Sequence, residues 1–293
     1  MKDINGILVV NKPKGCTSHD VVAKVKKILN VKKVGHTGTL DPNATGVLPL
    51  LLNQGTKMSK YLIEHDKEYE VTLKLGIRTS TLDEEGKILE ESKVDWKKIN
   101  SNIEKILKSF IGKQEQIPPM YSAIKVNGKK LYEYARNGQT VEIKPRKIEI
   151  YEIQLQGINE RQNEIKFKVH VSKGTYIRSL CGDIAKKLGT VGYMKELKRL
   201  KVGEFSIEDA ITIEELEKLN QAEVQNKVIT IEEFFKDLPK IELNENDLKK
   251  YLNGMLINTD KEDGLFNIYS NKYIGLGTIK SHKLKRDIVI ENA

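Results

Sequence analysis

Residues 34–50 read VGHTGTLDPNATGVLPL, and its centre, GHTGTLDP at 35–42, sets His36 and Asp41 on one glycine-rich turn. Three glycines and one proline in the twelve residues from Gly35 to Gly46 read as a loop. Pro42 pushes the Asp41 backbone toward an extended conformation. Loops of this kind hold reactive side chains beside a ligand, and the same composition also serves plain turn geometry. The residues alone leave both readings open. The spacing GxxxxGK[ST] is absent, so the loop is not a P-loop.

The elements on either side set the fold class. Before the loop, Ile7-Leu8-Val9-Val10 reads as a short buried strand, broken by Asn11-Lys12-Pro13-Lys14-Gly15. Thr17 or Ser18 caps a helix whose apolar positions, Val21, Val22, Val25, Ile28 and Leu29, have helical spacing. After the loop, Val47 to Leu52 is strand-like. From Lys67 to Leu75 the chain alternates, with Tyr69, Val71, Leu73 and Leu75 on one face and Glu68, Glu70, Thr72 and Lys74 on the other.

Further along, Trp96, Ile99, Ile103, Ile106, Leu107 and Phe110 form a helical stripe. Residues 122–126 read as a strand before an Asn127-Gly128 turn, and Leu131 to Arg136 as a short helix. Residues 148–158 and 164–171 read as paired strands, and 176–188 as a helix ending at Gly189. Thr212 and Thr230 open two short helices, and Pro239 marks a boundary. Beyond it come a helix over 245–252, capped by Asn244, and strands near 266–269, 272–276 and 288–290. Strands alternating irregularly with helices predict a mixed α/β or α+β body with a small β-rich appendage.

At 293 residues the chain has room for about two domains. Its composition excludes collagen-like, low-complexity and wholly disordered classes. No apolar run approaches the roughly 18–20 residues of a membrane span. The N-terminal apolar stretch is too short for a signal peptide and lacks a small-residue cleavage site. Cys16 and Cys181 have no CxxC or CxxH spacing, so a reducing cytoplasm is expected and no disulfide framework or zinc site.

The net charge of +9 is unevenly placed. Residues 1–60 carry ten Lys against three Asp, 120–150 carry seven basic against three acidic, and 165–201 carry ten against two. Residues 206–237 offset them with nine acidic against three basic. Three basic blocks on one face would make a surface for phosphate backbones.

His19, His36, His65, His170 and His282 show no pairwise metal spacing, and no serine lies in a GxSxG context. A second unusual segment, GTYIRSL at 174–180, puts Tyr176 and Arg178 where a strand meets a helix. Tyr176 either packs or contacts a ligand. Arg178 is either a solvated helix charge or an inward guanidinium that orients a carboxylate.

Five segments then occur in order: NGILVVNKPKGCTSHDVV (5–22), VGHTGTLDPNATGVLPL (34–50), KEYEVTLKLG (67–76), QIPPMYSAIKVNGKKLYEYARNG (116–138) and KGTYIRSL (173–180). From about residue 4 to about residue 205 the chain resembles the TruB family, the bacterial tRNA pseudouridine-55 synthases. The resemblance implies an α+β pseudouridine-synthase catalytic domain over 1–237, with a central, largely antiparallel sheet flanked by helices. It implies a small β-rich PUA-like RNA-binding domain over 238–293.

The resemblance also assigns roles. Asp41 is implied as the catalytic residue. Tyr69 stacks on the target base, Tyr176 contacts it, and Arg178 pairs with Asp41. His36 takes part in opening the RNA loop, Leu197 lines an apolar pocket, and Lys12 with Pro13 supports the active-site loop. The implied partner is the T-arm stem-loop of tRNA, and the protein is expected to be a cytoplasmic monomer with no required protein partner.

The physical reading fits these assignments. Pseudouridylation breaks the C1′–N1 bond, turns the base and joins C1′ to C5, with nothing added or lost, so no cofactor or metal is expected. The base must first leave the stack, and a surrogate stacker offsets part of that cost. Asp41 could attack C1′, attack the base, or remove the 2′ proton, and Arg178 is expected to favour its ionised form. Two other functions stand beside this one: a tRNA-binding folding helper with secondary catalysis, and a guide-dependent relative of the archaeal and eukaryotic kind.

Overall fold

A computed structural model of the chain describes residues 4–290. The body is built on β1 (Gly6–Lys12), α1 (Ser18–Leu29), β2 (Thr45–Leu52), β3 (Lys67–Leu75), α2 (Trp96–Lys108), β4 (Gly112–Gln116), β5 (Arg146–Asn159), β6 (Glu164–Val171), α3 (Ile177–Lys187) and β7 (Gly192–Val202). One large sheet runs Val228–Ile229, β1, β2, β7, β3, β6, β5, β4. Its pairings are antiparallel except where β7 runs parallel to β2, at Lys198–Thr45 and Arg199–Gly46. The chain is thus mixed α+β, with β7 joining two halves of the sheet.

The local rules are visible in the elements. β1 is buried on both faces, which is why it reads as a continuous apolar run. Leu8 and Val10 pack with Val21, Val25 and Leu29 of α1, while Ile7 and Val9 enter a different cluster with Met58 and Leu62. Thr17 starts α1 with a reciprocal box: its hydroxyl accepts from the Asp20 N–H at 3.1 Å, and Asp20 accepts from the Thr17 N–H at 2.8 Å. Asn30, at φ 47°, closes the helix in the left-handed region. In β3 the alternation holds, and Tyr69, Val71, Leu73 and Leu75 enter the core beneath α2 and α3.

Three local expectations change. Gly35 and His36 are not loop: they end a short strand, Val34–His36, that pairs with β2. The strand expected over 122–126 shrinks to Lys125–Val126, paired with Lys129–Lys130. The Ser122 and Ile124 carbonyls accept from the Tyr132 and Leu131 N–H groups instead of a ladder. β7 and β4, unforeseen, are both in the main sheet. β7 carries bulges at Met194/Glu196 and Arg199/Lys201, which break its period of two.

After β7 the acidic segment contributes Ile213–Leu216 and Ile231–Phe234, capped by Thr212 and Thr230, and a further helix, Gln221–Lys227. The last part is a five-stranded sheet in the order Lys240–Glu242, Gly264–Ser270, Lys272–Lys280, Lys283–Val289, Ile257–Asn258. Its helix, Glu245–Leu252, is capped by Asn244, which accepts from the Asp247 N–H at 2.9 Å. Leu276 and Ile288 of this sheet share an apolar cluster with Ile7, Val9, Met58 and Leu62. Lys60 and Tyr61 both bond the Asp287 carboxylate across the same seam. No described helix is long and apolar enough to cross a membrane.

Candidate active site

The turn bearing Asp41 is braced from three directions. Lys12 is fully buried at the end of β1, and its ammonium donates to the Pro42 and Pro13 carbonyls at 3.0 and 2.9 Å. Ser18, at the start of α1, donates to the Leu40 carbonyl at 3.2 Å and accepts from the Leu40 N–H at 2.9 Å. The Ala44 N–H donates to the Asp41 carbonyl at 3.0 Å, closing the turn. Leu40 and Ala44 sink into the same apolar cluster as Tyr69, Val71, Ile177 and Leu197. Asp41 therefore stands above an apolar floor, and its side chain is 36% exposed.

Arg178 rises from the first turn of α3, and its side chain is only 8% exposed. Its Nε lies 3.1 Å from Asp41 Oδ2, and its Nη2 lies 3.4 Å from Asp41 Oδ1. The same guanidinium gives Nη1 to Asp83 Oδ2 at 3.3 Å and Nη2 to the Tyr121 carbonyl at 2.8 Å. The inward alternative left open for this arginine is the one the fold adopts. Gln116 at the end of β4 fixes Tyr176, two residues before Arg178, accepting from the Tyr176 N–H at 2.8 Å and donating to the Tyr176 carbonyl at 3.0 Å.

The electrostatics differ from expectation in one respect. Burial raises the Asp41 carboxyl above its ordinary value and outweighs the lowering by Arg178. Asp83 adds to the rise, and Lys12 opposes it. The pair is thus a carboxylate directed by one guanidinium and pushed upward by burial and then by a second carboxylate.

Not every implied residue meets Asp41. Tyr69 is 8% exposed on β3, and Leu197 lies on β7 opposite Val71. Tyr176 is half-buried beside Arg178. Among the described residues, His36, Tyr69, Tyr176 and Leu197 make no hydrogen bond or ion pair to Asp41. His36 is half-buried, and its Nδ1 is buried with no hydrogen-bond partner. Burial, then the Arg199 and His19 charges, lowers its pKa.

Three participants escape a reading of the residues. Asp83 sits in an acidic turn, where nothing separates it from Glu84 and Glu85. Gln116 is one polar residue in a short strand. Arg199 occupies a buried position of β7, and a charged residue in phase with Leu197 is the one signal that would have singled it out.

Residues 26–177 match the family described as TruB family pseudouridylate synthase (N terminal domain). Residues 178–257 match the tRNA pseudouridylate synthase B C-terminal domain. The chain belongs to the TruB family. The tRNA pseudouridine synthase B of Caldanaerobacter subterraneus subsp. tengcongensis is 46% identical over 286 residues, 96% of this chain and 98% of that protein. The enzyme of the same name from Staphylococcus aureus is 46% identical over 265 residues, 88% of this chain and 87% of that protein. Among solved structures, the crystal structure of a Cbf5-Nop10-Gar1 complex superposes with a TM-score of 0.68 at 27% identity, covering 98% of this chain and 84% of that one. As a TruB-family pseudouridylate synthase, the chain is an isomerase.

Proposed function

We propose that this enzyme converts the uridine at position 55, in the T arm of tRNA, to pseudouridine, and that Asp41 carries the chemistry. The observation that carries this reading is the Asp41–Arg178 pair: a carboxylate at the open lip of a braced turn, aimed by a buried guanidinium. In the reaction C1′–N1 breaks, C1′–C5 forms, the C5 hydrogen leaves and N1 gains one, so the balance asks for no further reactant. An ionised carboxylate beside the sugar and base meets the positive charge that develops as the bond breaks.

The other residues take supporting roles. The target base leaves the stack at a cost of a few kcal/mol. Tyr69 supplies a π-face for it, and Leu197 and Tyr176 line the space around it. His36 takes part in opening the RNA loop. Lys12 acts through the Pro42 carbonyl, holding the turn that carries Asp41. The basic blocks follow the phosphate backbone.

The same reading divides the chain into a catalytic domain, 1–237, and a PUA-like RNA-binding domain, 238–293. It makes the protein a cytoplasmic monomer that needs no protein partner. The test is pure protein on an isolated T-arm stem-loop, scored by release of a hydrogen label from C5 of the uridine. Label release without any added factor is expected. Release only after a guide RNA or partner proteins are supplied would move the chain to the guided class.

A further inference from the structure

Arg199 is the largest fully buried side chain among the described residues, at 1% exposure. It forms no ion pair with a carboxylate among them. A buried cation without a counter-charge is costly, and burial lowers its pKa from the usual arginine value. Such a group persists where its donors have specific work.

Its position in the sheet shows what that work touches. On β7, Arg199 pairs with Tyr69 of β3 on one side and Gly46 of β2 on the other. Gly46, at φ +105°, admits no side chain, because a Cβ there would come within 2.1 Å of the Arg199 carbonyl. The guanidinium then spreads along the turn. Nε donates to the Val47 carbonyl at 2.7 Å, and Nη2 donates to the Gly38 carbonyl at 3.2 Å. Tyr69, its partner across the β7–β3 ladder, opposes the lowering of the Arg199 pKa through its phenol. Gly38 and Val47 bracket the segment that presents Asp41. One side chain therefore spans both ends of the Asp41 turn and the aromatic ring on the neighbouring strand.

We propose that Arg199 is a positioning residue for catalysis: it fixes the Asp41 turn relative to Tyr69, and the planar fork, not the charge alone, is what the site requires. This rests on the roles proposed above for Asp41 and Tyr69. A lysine ammonium is a single point on a flexible stem and cannot place donors at the Gly38 and Val47 carbonyls in the arginine geometry. A displacement of the order of 1 Å between reacting groups is enough to slow turnover about 100-fold.

The test uses Arg199→Lys and Arg199→Met in the full-length protein. Single-turnover rate on a T-arm stem-loop, RNA affinity and thermal unfolding are measured together. The expected result for both variants is a rate lowered about 10- to 100-fold per folded molecule, RNA affinity within about twofold of the parent, and no rescue by lysine. A residue that only stabilises the fold would lower the unfolding temperature and leave the rate per folded molecule intact. That outcome, a rate within threefold of the parent, or a loss of affinity matching the loss of rate would each overturn the proposal.

Should neither variant fold, Tyr69→Phe carries the test, since it keeps the ring and removes the hydroxyl beside Arg199. A slower rate at unchanged affinity is then expected, and an unchanged rate overturns the proposal. The parent on the same RNA serves as the control: if it forms no pseudouridine, the reading of the substrate has failed, not the role of Arg199.

Discussion

Arg178 and Asp41 meet through two contacts, Nε to Oδ2 at 3.1 Å and Nη2 to Oδ1 at 3.4 Å, while Asp83 meets Nη1 of the same guanidinium at 3.3 Å. One buried cation thus directs two carboxylates, of which only Asp41 stands at an open lip. This sharing has consequences for rate and for pH.

Arg178→Lys keeps a positive charge but loses the fork that meets two oxygens of Asp41 and three other acceptors, the Asp83 carboxylate and the Thr81 and Tyr121 carbonyls. Turnover is expected to fall about 100-fold, with smaller change in RNA affinity, because orientation and not attraction is what is lost. Steady-state kinetics on a T-arm stem-loop check this. A lysine variant with parental turnover would show that the fork is dispensable.

The pH profile follows from the Asp41 environment. Burial and Asp83 raise the Asp41 carboxyl, so the ionised form is lost, as pH falls, at a higher pH than for an ordinary aspartate. Activity is expected to decline on the acid side through that raised pKa. Asp83→Asn removes one upward push, so the acid limb should move to lower pH. A limb that stays fixed or moves upward would contradict the coupling.

Tyr69→Leu removes a π-face and keeps an apolar side chain of similar depth. Stacking on a base contributes about 1–3 kcal/mol, so the rate should fall roughly 5- to 150-fold. Thermal unfolding of the variant should change little by comparison. A normal rate would remove the stacking role.

His36→Ala should slow the opening of the RNA loop and leave the chemical step in place. A single-turnover experiment at saturating RNA separates the two. Complete loss of product there would mean that His36 serves the chemistry itself.

Much of this was legible in the residues for identifiable reasons. Pro42 after Asp41, a capping hydroxyl at Thr17 or Ser18 and the strict alternation around Tyr69 are local signals, and local contacts decide those elements. β7 was not legible, because Lys195, Lys198, Arg199 and Lys201 dilute its apolar positions and two bulges shift the phase. Asp83 was not legible because its distinction from Glu84 and Glu85 lies in which one reaches Arg178 across the fold. The ionisation of Asp41 was read from its partner alone, while the depth of the turn, a tertiary property, sets the direction of the shift.

The central claim is that Asp41 does the chemistry and that RNA binding is separable from it. Asp41→Asn, assayed for pseudouridine formation and for affinity on the same T-arm stem-loop, tests this most directly. The account predicts no detectable product with RNA affinity close to that of the parent. Pseudouridine formed at the parental rate by Asp41→Asn would contradict it.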